Sequence, residues 1–397
     1  MKKAKKSAVK SLDMATTAIH SGRHQTLERE NSPPMFLTSS FAYNSAQQAC
    51  DVFAGNEEGN LYSRFTNPTV TAFEERIAAL EGGQKGIAMA TGMAAITSVF
   101  LGFLAAGDHM VLSRSVFGST INVANNLLAK LKIDVTQVTL RDLPSWRDAI
   151  RPQTKLFFVE TPSNPTLEMV DLEALCQLAK KHNILVVVDN VFCTPFLQKP
   201  LDLGADVVIH SATKYLDGQG RVLGGVVVGN KELLLEHIYP ILRNAGPSLS
   251  PFNAWVLYKG METLPLRMER HCENAMNVAI FLNRIPKLTG KVNYPGLPGH
   301  PQHALATSQM KAYGGLVCLD LGSQKKAYAF IDRLKLATIT ANLGDVKTLV
   351  THPASTTHSK LSDKAKKESG ITKGLVRLSI GLESAADICD DLAQALK

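Results

Sequence analysis

The chain has 397 residues, of which 45% are hydrophobic and 20% charged, with 28 Gly and 18 Pro. These proportions are ordinary for a globular protein and exclude wholesale disorder, collagen-like repeats and a multi-span membrane protein, while the length suits two or three packed units. Lys and Arg number 43 against 35 Asp and Glu, giving +8; five lysines and no acid fall in residues 1–10, where we expect a solvated tail.

No apolar stretch of the kind found in a signal peptide follows that tail. Residues 1–60 read as a loosely organised arm, extended around Pro33 and Pro34 with short helical pieces. Residues 87–107 form a run of 21 without a charge. That length could span a bilayer, but its Ala, Gly, Ser and Thr content reads better as a buried strand followed by a buried helix. From about residue 86 strands and helices alternate. Strands are expected at 86–91, 109–114, 134–140, 155–160, 184–190, 206–212 and 224–229. Helices are expected at 92–107, 119–131 and 171–183, with a helical turn at Trp146. Several strands are continuous β-branched runs, as in a mainly parallel sheet covered on both faces. Near Pro251 the pattern changes to a long helical stretch reaching about Arg284 and interrupted near Pro265. Sparser strands follow at 314–322, 338–344 and 375–382, with helices at 325–334 and from Ser384. We place an arm at 1–60, a cofactor-binding domain at 61–260 and an α+β domain at 261–397.

Asp189 follows the apolar run 184–188, and Lys214 follows the run 206–210. Ligands of open α/β sheets sit beyond the carboxyl ends of the strands. An Asp and a Lys at neighbouring strand ends suit pyridoxal phosphate: the lysine forms the Schiff base, and the carboxylate keeps the ring nitrogen protonated. Ser211 and Thr213 bracket Ala212, so both hydroxyls can reach one anion. Gly92 and Met93 open a helix after a strand, where free N–H groups collect phosphate. Neither a Walker motif nor a G-x-G-x-x-G fingerprint is present. The six cysteines (Cys50, Cys176, Cys193, Cys272, Cys318, Cys389) contain no C-x-x-C pair, so no metal site is expected, and scattered thiols fit a reducing cytoplasm. His109, His210 and His352 read as satisfied core or cap residues, and Cys193 as an inert buried thiol.

The segments NLYSRFTNPTV, ATGMAAI, ETPSNPTLEMVDL, NLGDVKTLVTHPAS, LVRLSIGLE and the stretch 186–225, which contains SATKYLDGQGRVLGG, together resemble the Cys/Met-metabolism family of pyridoxal-phosphate enzymes. The likeness runs from about Thr17 onward. It implies the type I fold of these transferases: a large, mainly parallel, seven-stranded α/β sheet domain with a smaller α+β C-terminal domain. By resemblance, Lys214 is the Schiff-base lysine and proton shuttle, Asp189 pairs with the pyridine nitrogen, and Asn164 lies beside the ring hydroxyl. Gly92, Met93, Ser211 and Thr213 anchor the phosphate, and Tyr62 and Arg64 reach the phosphate of a neighbouring subunit. Arg377 grips the substrate carboxylate, for which a planar fork is suited. Two positions depart from the family pattern. Phe117 replaces the usual ring-stacking Tyr, which removes a hydroxyl acid. Asn342 replaces a common Ser beside the substrate.

The implied reaction is γ-replacement, most like that of the O-succinylhomoserine sulfhydrylase branch: sulfide displaces succinate to give homocysteine in methionine biosynthesis. Cystathionine γ-synthase, with cysteine as nucleophile, and methionine or cystathionine γ-lyase are the alternatives. A non-catalytic protein on this scaffold is disfavoured by Lys214, Asp189 and Arg377, and no nucleic-acid motif is visible. The resemblance further implies a cytoplasmic homotetramer, a dimer of dimers, without membrane association.

Overall fold

In the computed structural model, which describes residues 12–288 and 290–397, the alternating region folds into one seven-stranded sheet. The basic tail at 1–10 lies outside the described residues. The strands are β1 (Lys85–Met89), β2 (His109–Ser113), β3 (Asp134–Val138), β4 (Thr154–Glu160), β5 (Leu185–Asp189), β6 (Val207–Ser211) and β7 (Gly225–Gly229). Their order is β1-β7-β6-β5-β4-β2-β3. The five central and outer strands from β6 to β3 are parallel. The last strand, β7, runs antiparallel to both β6 and β1. No helix lies between β6 and β7, and without a crossover the chain can only return in the opposite direction.

Burial on both faces explains the β-branched runs. Phe158, Val187 and Ile209 point into one apolar layer with Phe100. Phe157, Val186 and Val188 point into the other with Trp146. Between them Trp146 and Phe157 meet edge-on at 5.1 Å, and the indole N–H donates to the Leu140 carbonyl at 3.1 Å. The uncharged run at 87–107 divides into the end of β1 and a helix, Gly92–Phe103, packed on β6 and β7. Among the described residues no helix is long and apolar enough to cross a membrane.

The chain order reverses between β2 and β4, where the carboxyl ends of β4 and β5 are level and β6 runs two residues further. Glu160 pairs with Asp189, and Asp189 with Ile209. A crevice opens at such a reversal, and the site lies there.

Helices Pro251–Met261 and Leu264–Asn283 lead to a second, five-stranded sheet. Pro265 sits in the first turn of the second helix, where its missing N–H costs nothing. The strands are β8 (Val292–Asn293), β9 (Leu316–Asp320), β10 (Thr338–Ile339), β11 (Leu349–Thr351) and β12 (Leu375–Ser379), in the order β10-β11-β12-β9-β8. The strand expected at 338–344 keeps only two residues. Beyond it, the carbonyls of Ala341 and Asn342 accept from the Arg377 guanidinium, at 3.3 and 3.1 Å. A side chain satisfies backbone groups that a ladder would otherwise hold, and the segment turns into the crevice.

The N-terminal arm carries helices Met14–His20 and Ala46–Ala54. Buried Arg76 fastens it, donating to the carbonyls of Ile19 (2.8 Å), Ser21 (2.9 Å) and Tyr258 (3.0 Å) and lying 3.5 Å over the Tyr258 ring.

Candidate active site

A cavity of about 780 Å³ opens at the carboxyl ends of the large sheet. Its floor is made by the last residues of the strands. At the end of β5, Asp189 is 6% exposed and accepts from the Val191 N–H at 3.2 Å. At the end of β6 the chain turns sharply, with Lys214 N–H bonded to the Ser211 carbonyl and Gly218 N–H to that of Lys214, so the Lys214 side chain emerges inside the cavity. Thr213 Oγ accepts from the Gly224 N–H at 3.1 Å, closing the loop.

One wall is a helix N-terminus. Thr91 caps the Gly92–Phe103 helix by accepting from the Ala94 N–H at 3.0 Å. The N–H groups of Gly92 and Met93 have no partner among the described residues. A Cβ on Gly92 would lie 2.6 Å from Ser211 Cβ, so glycine is what lets this terminus approach β6 and bring free N–H groups beside the Ser211 and Thr213 hydroxyls. Together they form an anion cradle.

The opposite wall comes from the second sheet. Arg377, on β12, is 1% exposed. Besides the two carbonyls named above, it donates from Nη1 to Asn164 Oδ1 at 2.9 Å, and its Nε, also buried, has no partner among the described residues. Lys214 Nζ donates to Asn342 Oδ1 at 2.5 Å. Asn342 therefore touches both cations, one through its amide and one through its carbonyl.

Burial dominates the electrostatics. It lowers the Lys214 amine to about 8, helped by the positive charge of Arg377. It raises Asp189 to about 6, against the opposing charge of His210 and the Val191 N–H. Glu160 is pushed well above the usual carboxylate range by burial and then by the charge of Asp189, with the Phe117 N–H, Arg377 and the Asn164 backbone opposing.

Ten residues singled out from the sequence line this one cavity: Gly92, Met93, Phe117, Asn164, Asp189, Ser211, Thr213, Lys214, Asn342 and Arg377. Tyr62 and Arg64 do not. Tyr62 is 42% exposed, and Arg64 donates to the Arg243 carbonyl and lies 4.6 Å over the Phe65 ring, beside a different cavity. Sequence reasoning missed Glu160, whose carboxylate accepts from the Phe117 N–H at 2.7 Å and so fixes where that ring begins. The available signal was its place at the end of an apolar strand, the same signal that marked Asp189. Asn164, expected beside a ring hydroxyl, also bonds Arg377.

The set suits a flat, anionic, amine-reactive group. It offers a phosphate cradle, a carboxylate on the floor, an apolar ring at Phe117, an amine of lowered basicity and an unsatisfied buried guanidinium N–H. Comparison with known proteins agrees. The family model for Cys/Met metabolism PLP-dependent enzymes matches residues 15–397. An O-succinylhomoserine sulfhydrylase of Pseudomonas aeruginosa is 49% identical over 96% of this chain and 94% of its own. An L-methionine gamma-lyase of Fusobacterium nucleatum subsp. nucleatum is 43% identical over 98% of this chain and 99% of its own. Among solved structures, a Campylobacter jejuni protein crystallised as a candidate O-acetylhomoserine (thiol)-lyase, with a pyridoxyl-lysine phosphate, superposes with a TM-score of 0.93 at 35% identity, covering 97% of this chain and 100% of that one.

Proposed function

The chain belongs to the Cys/Met-metabolism family of pyridoxal-phosphate-dependent enzymes, and from that premise we propose that it is an O-succinylhomoserine sulfhydrylase, replacing succinate by sulfide to give homocysteine. The γ-carbon–oxygen bond of the ester breaks, succinate departs with the bonding electrons, and hydrosulfide forms the new carbon–sulfur bond, its proton staying on the homocysteine thiol.

When bound, pyridoxal phosphate supplies an aldehyde that joins to amines and a ring that withdraws electrons from the carbons beside them. The protein does the rest. The Gly92 and Met93 N–H groups and the Ser211 and Thr213 hydroxyls hold the phosphate. Asp189 would hold a proton at the pyridine nitrogen, and Asn164 and Phe117 would help hold the ring, Phe117 through its apolar face. Arg377 grips the α-carboxylate of the substrate. Lys214, neutral once it has lost its proton, takes the α-proton and returns protons along the substrate chain, while Asn342 Oδ1 orients its amine.

The observation that carries this reading is the missing hydroxyl at Phe117. Among the described residues no Tyr, His or Cys of the same chain lines the cavity, and Tyr62 of a neighbouring subunit is assigned to the phosphate, so Lys214 is left as the proton carrier on the substrate side. A carboxylate leaving group, whose acid has a pKa of about 4.3, departs without a proton. A thiolate leaving group, with a pKa of about 8.5 or above, benefits from one. The site therefore favours an acyl ester over methionine. The holoenzyme should turn over O-succinylhomoserine with sulfide at least about 100-fold faster than it eliminates methionine, the span of one acid catalyst. Phe117→Tyr should raise methionine elimination roughly tenfold or more, measured as 2-oxo acid release. Faster elimination of methionine than ester turnover by the unaltered protein would overturn the reading.

We further propose that Tyr62 and Arg64 complete the phosphate site of a neighbouring subunit in a cytoplasmic homotetramer with two-fold interfaces. An Arg64→Ala protein should lose cofactor affinity, and co-expression with a Lys214→Ala chain should restore part of the activity through mixed sites. Cofactor affinity like that of the unaltered protein in the Arg64→Ala protein, measured by equilibrium dialysis, would remove Arg64 from the site.

A further inference from the structure

Behind the cavity, on the opposite face of the large sheet, lies a buried carboxylate–imidazole pair that the mechanism above does not use. Glu81 ends the helix Pro68–Glu81, and His210 is the fourth residue of β6. Their side chains are 0% and 1% exposed, and His210 Nε2 lies 2.5 Å from Glu81 Oε1. The same carboxylate oxygen accepts from Asn190 Nδ2 at 3.0 Å. Glu81 Oε2 and His210 Nδ1 are buried without partners among the described residues. A buried carboxylate left half satisfied is costly, so the pair is not explained by stability alone.

Its position suggests what it does. Side chains alternate across a strand. Asp189 and Ser211 face the cavity; their neighbours Asn190 and His210 face away, and both hold the same Glu81 oxygen. Glu81 thus ties the carboxyl ends of β5 and β6 together from behind, where the Asn190 N–H already bonds the Ile209 carbonyl at 3.0 Å. The charges around Asp189 are distributed accordingly. Glu160, from β4, is itself pushed above the usual carboxylate range by burial and the charge of Asp189, Lys214 and Arg377 line the cavity side, and His210, held by Glu81, lies on the far side. The charge of His210 favours the ionised form of Asp189 against its burial.

We propose that Glu81 and His210 are a positioning pair for Asp189: Glu81 holds the His210 imidazole behind the Asp189 carboxylate, which favours that carboxylate's charged form and keeps it in place for the cofactor's ring nitrogen. The inference rests on the ring-facing reading of Asp189 given above. Neither residue touches substrate or cofactor, so their effect belongs in turnover rather than in substrate affinity.

A double-mutant cycle on the holoenzyme tests it, with kcat, KM and cofactor content measured for Glu81→Gln, Asp189→Asn and the double variant. Glu81→Gln, which keeps the side-chain shape, should lower kcat about tenfold at unchanged KM and full cofactor content. Added to Asp189→Asn, it should lower kcat no further, because the charge it supports has gone. If Glu81→Gln folds poorly, His210→Gln enters the same cycle. Equal losses in the two backgrounds, or a loss that appears in KM, would overturn the inference and leave the reading of Asp189 standing. Undiminished activity in Asp189→Asn alone would overturn that reading and the inference with it.

Discussion

Replacing Lys214 with alanine lowers ester turnover by at least about 10⁴-fold, because one group is asked both to attach the cofactor and to carry the proton. Each task alone is worth orders of magnitude, and no other lining residue is placed to take over the second, since Asp189 and Glu160 sit on the cavity floor at the ends of β5 and β4. Borohydride treatment followed by mass spectrometry should find the pyridoxyl adduct on the peptide holding Lys214 in the unaltered protein and none in the variant. A pH dependence accompanies this. Burial and Arg377 disfavour the ammonium form and lower the amine to about 8, so the reactive neutral form accumulates as pH rises through that value, well below the usual lysine value of about 10.4. Labelling of Lys214 in the cofactor-free protein by a small aldehyde should climb with pH and level off above about 8. A climb that continues to about 10.4 would show an ordinary, solvated lysine.

Arg377 carries the second large effect. Arg377→Ala should reduce kcat/KM for the ester by roughly 10²–10³, the equivalent of about 3–4 kcal/mol for a carboxylate losing its buried partner. The loss should appear mainly in KM. Arg377→Lys should recover little, although it keeps the charge. The guanidinium also holds Asn164 and the carbonyls of Ala341 and Asn342, and a single ammonium cannot replace that fork. A KM close to that of the unaltered protein in Arg377→Lys would show that charge alone suffices and that the planar grip is not used.

Much of this arrangement was legible in the sequence because its signals are local. A strand ending in Asp189, a lysine placed just after Ser211 and Thr213, and a glycine opening a helix each declare themselves within a few residues. Pairing across the fold does not. His210 read as an ordinary core histidine because its partner, Glu81, is 129 positions away in the chain, and only the packing of a helix on the back of the sheet brings them together. Asn342 stood out as a departure from the family pattern, but its contact with Lys214 spans 128 positions and depends on how the second sheet faces the first. Glu160 was overlooked although it occupies the same strand-end position as Asp189, since its partner is the backbone N–H of Phe117, which leaves no trace in residue types. The strand expected at 338–344 was shortened for a similar reason, because Arg377 takes the carbonyls that a neighbouring strand would have used.

The central claim is that this cavity joins sulfide to an acylated homoserine. The most direct test supplies the purified holoenzyme with O-succinylhomoserine, together with sulfide and cysteine at equal concentration, and identifies the products by mass spectrometry. The account predicts homocysteine as the main product, with succinate released in equal amount. Cystathionine as the main product would contradict the choice of nucleophile, and a 2-oxo acid formed without any carbon–sulfur bond would contradict the replacement chemistry itself.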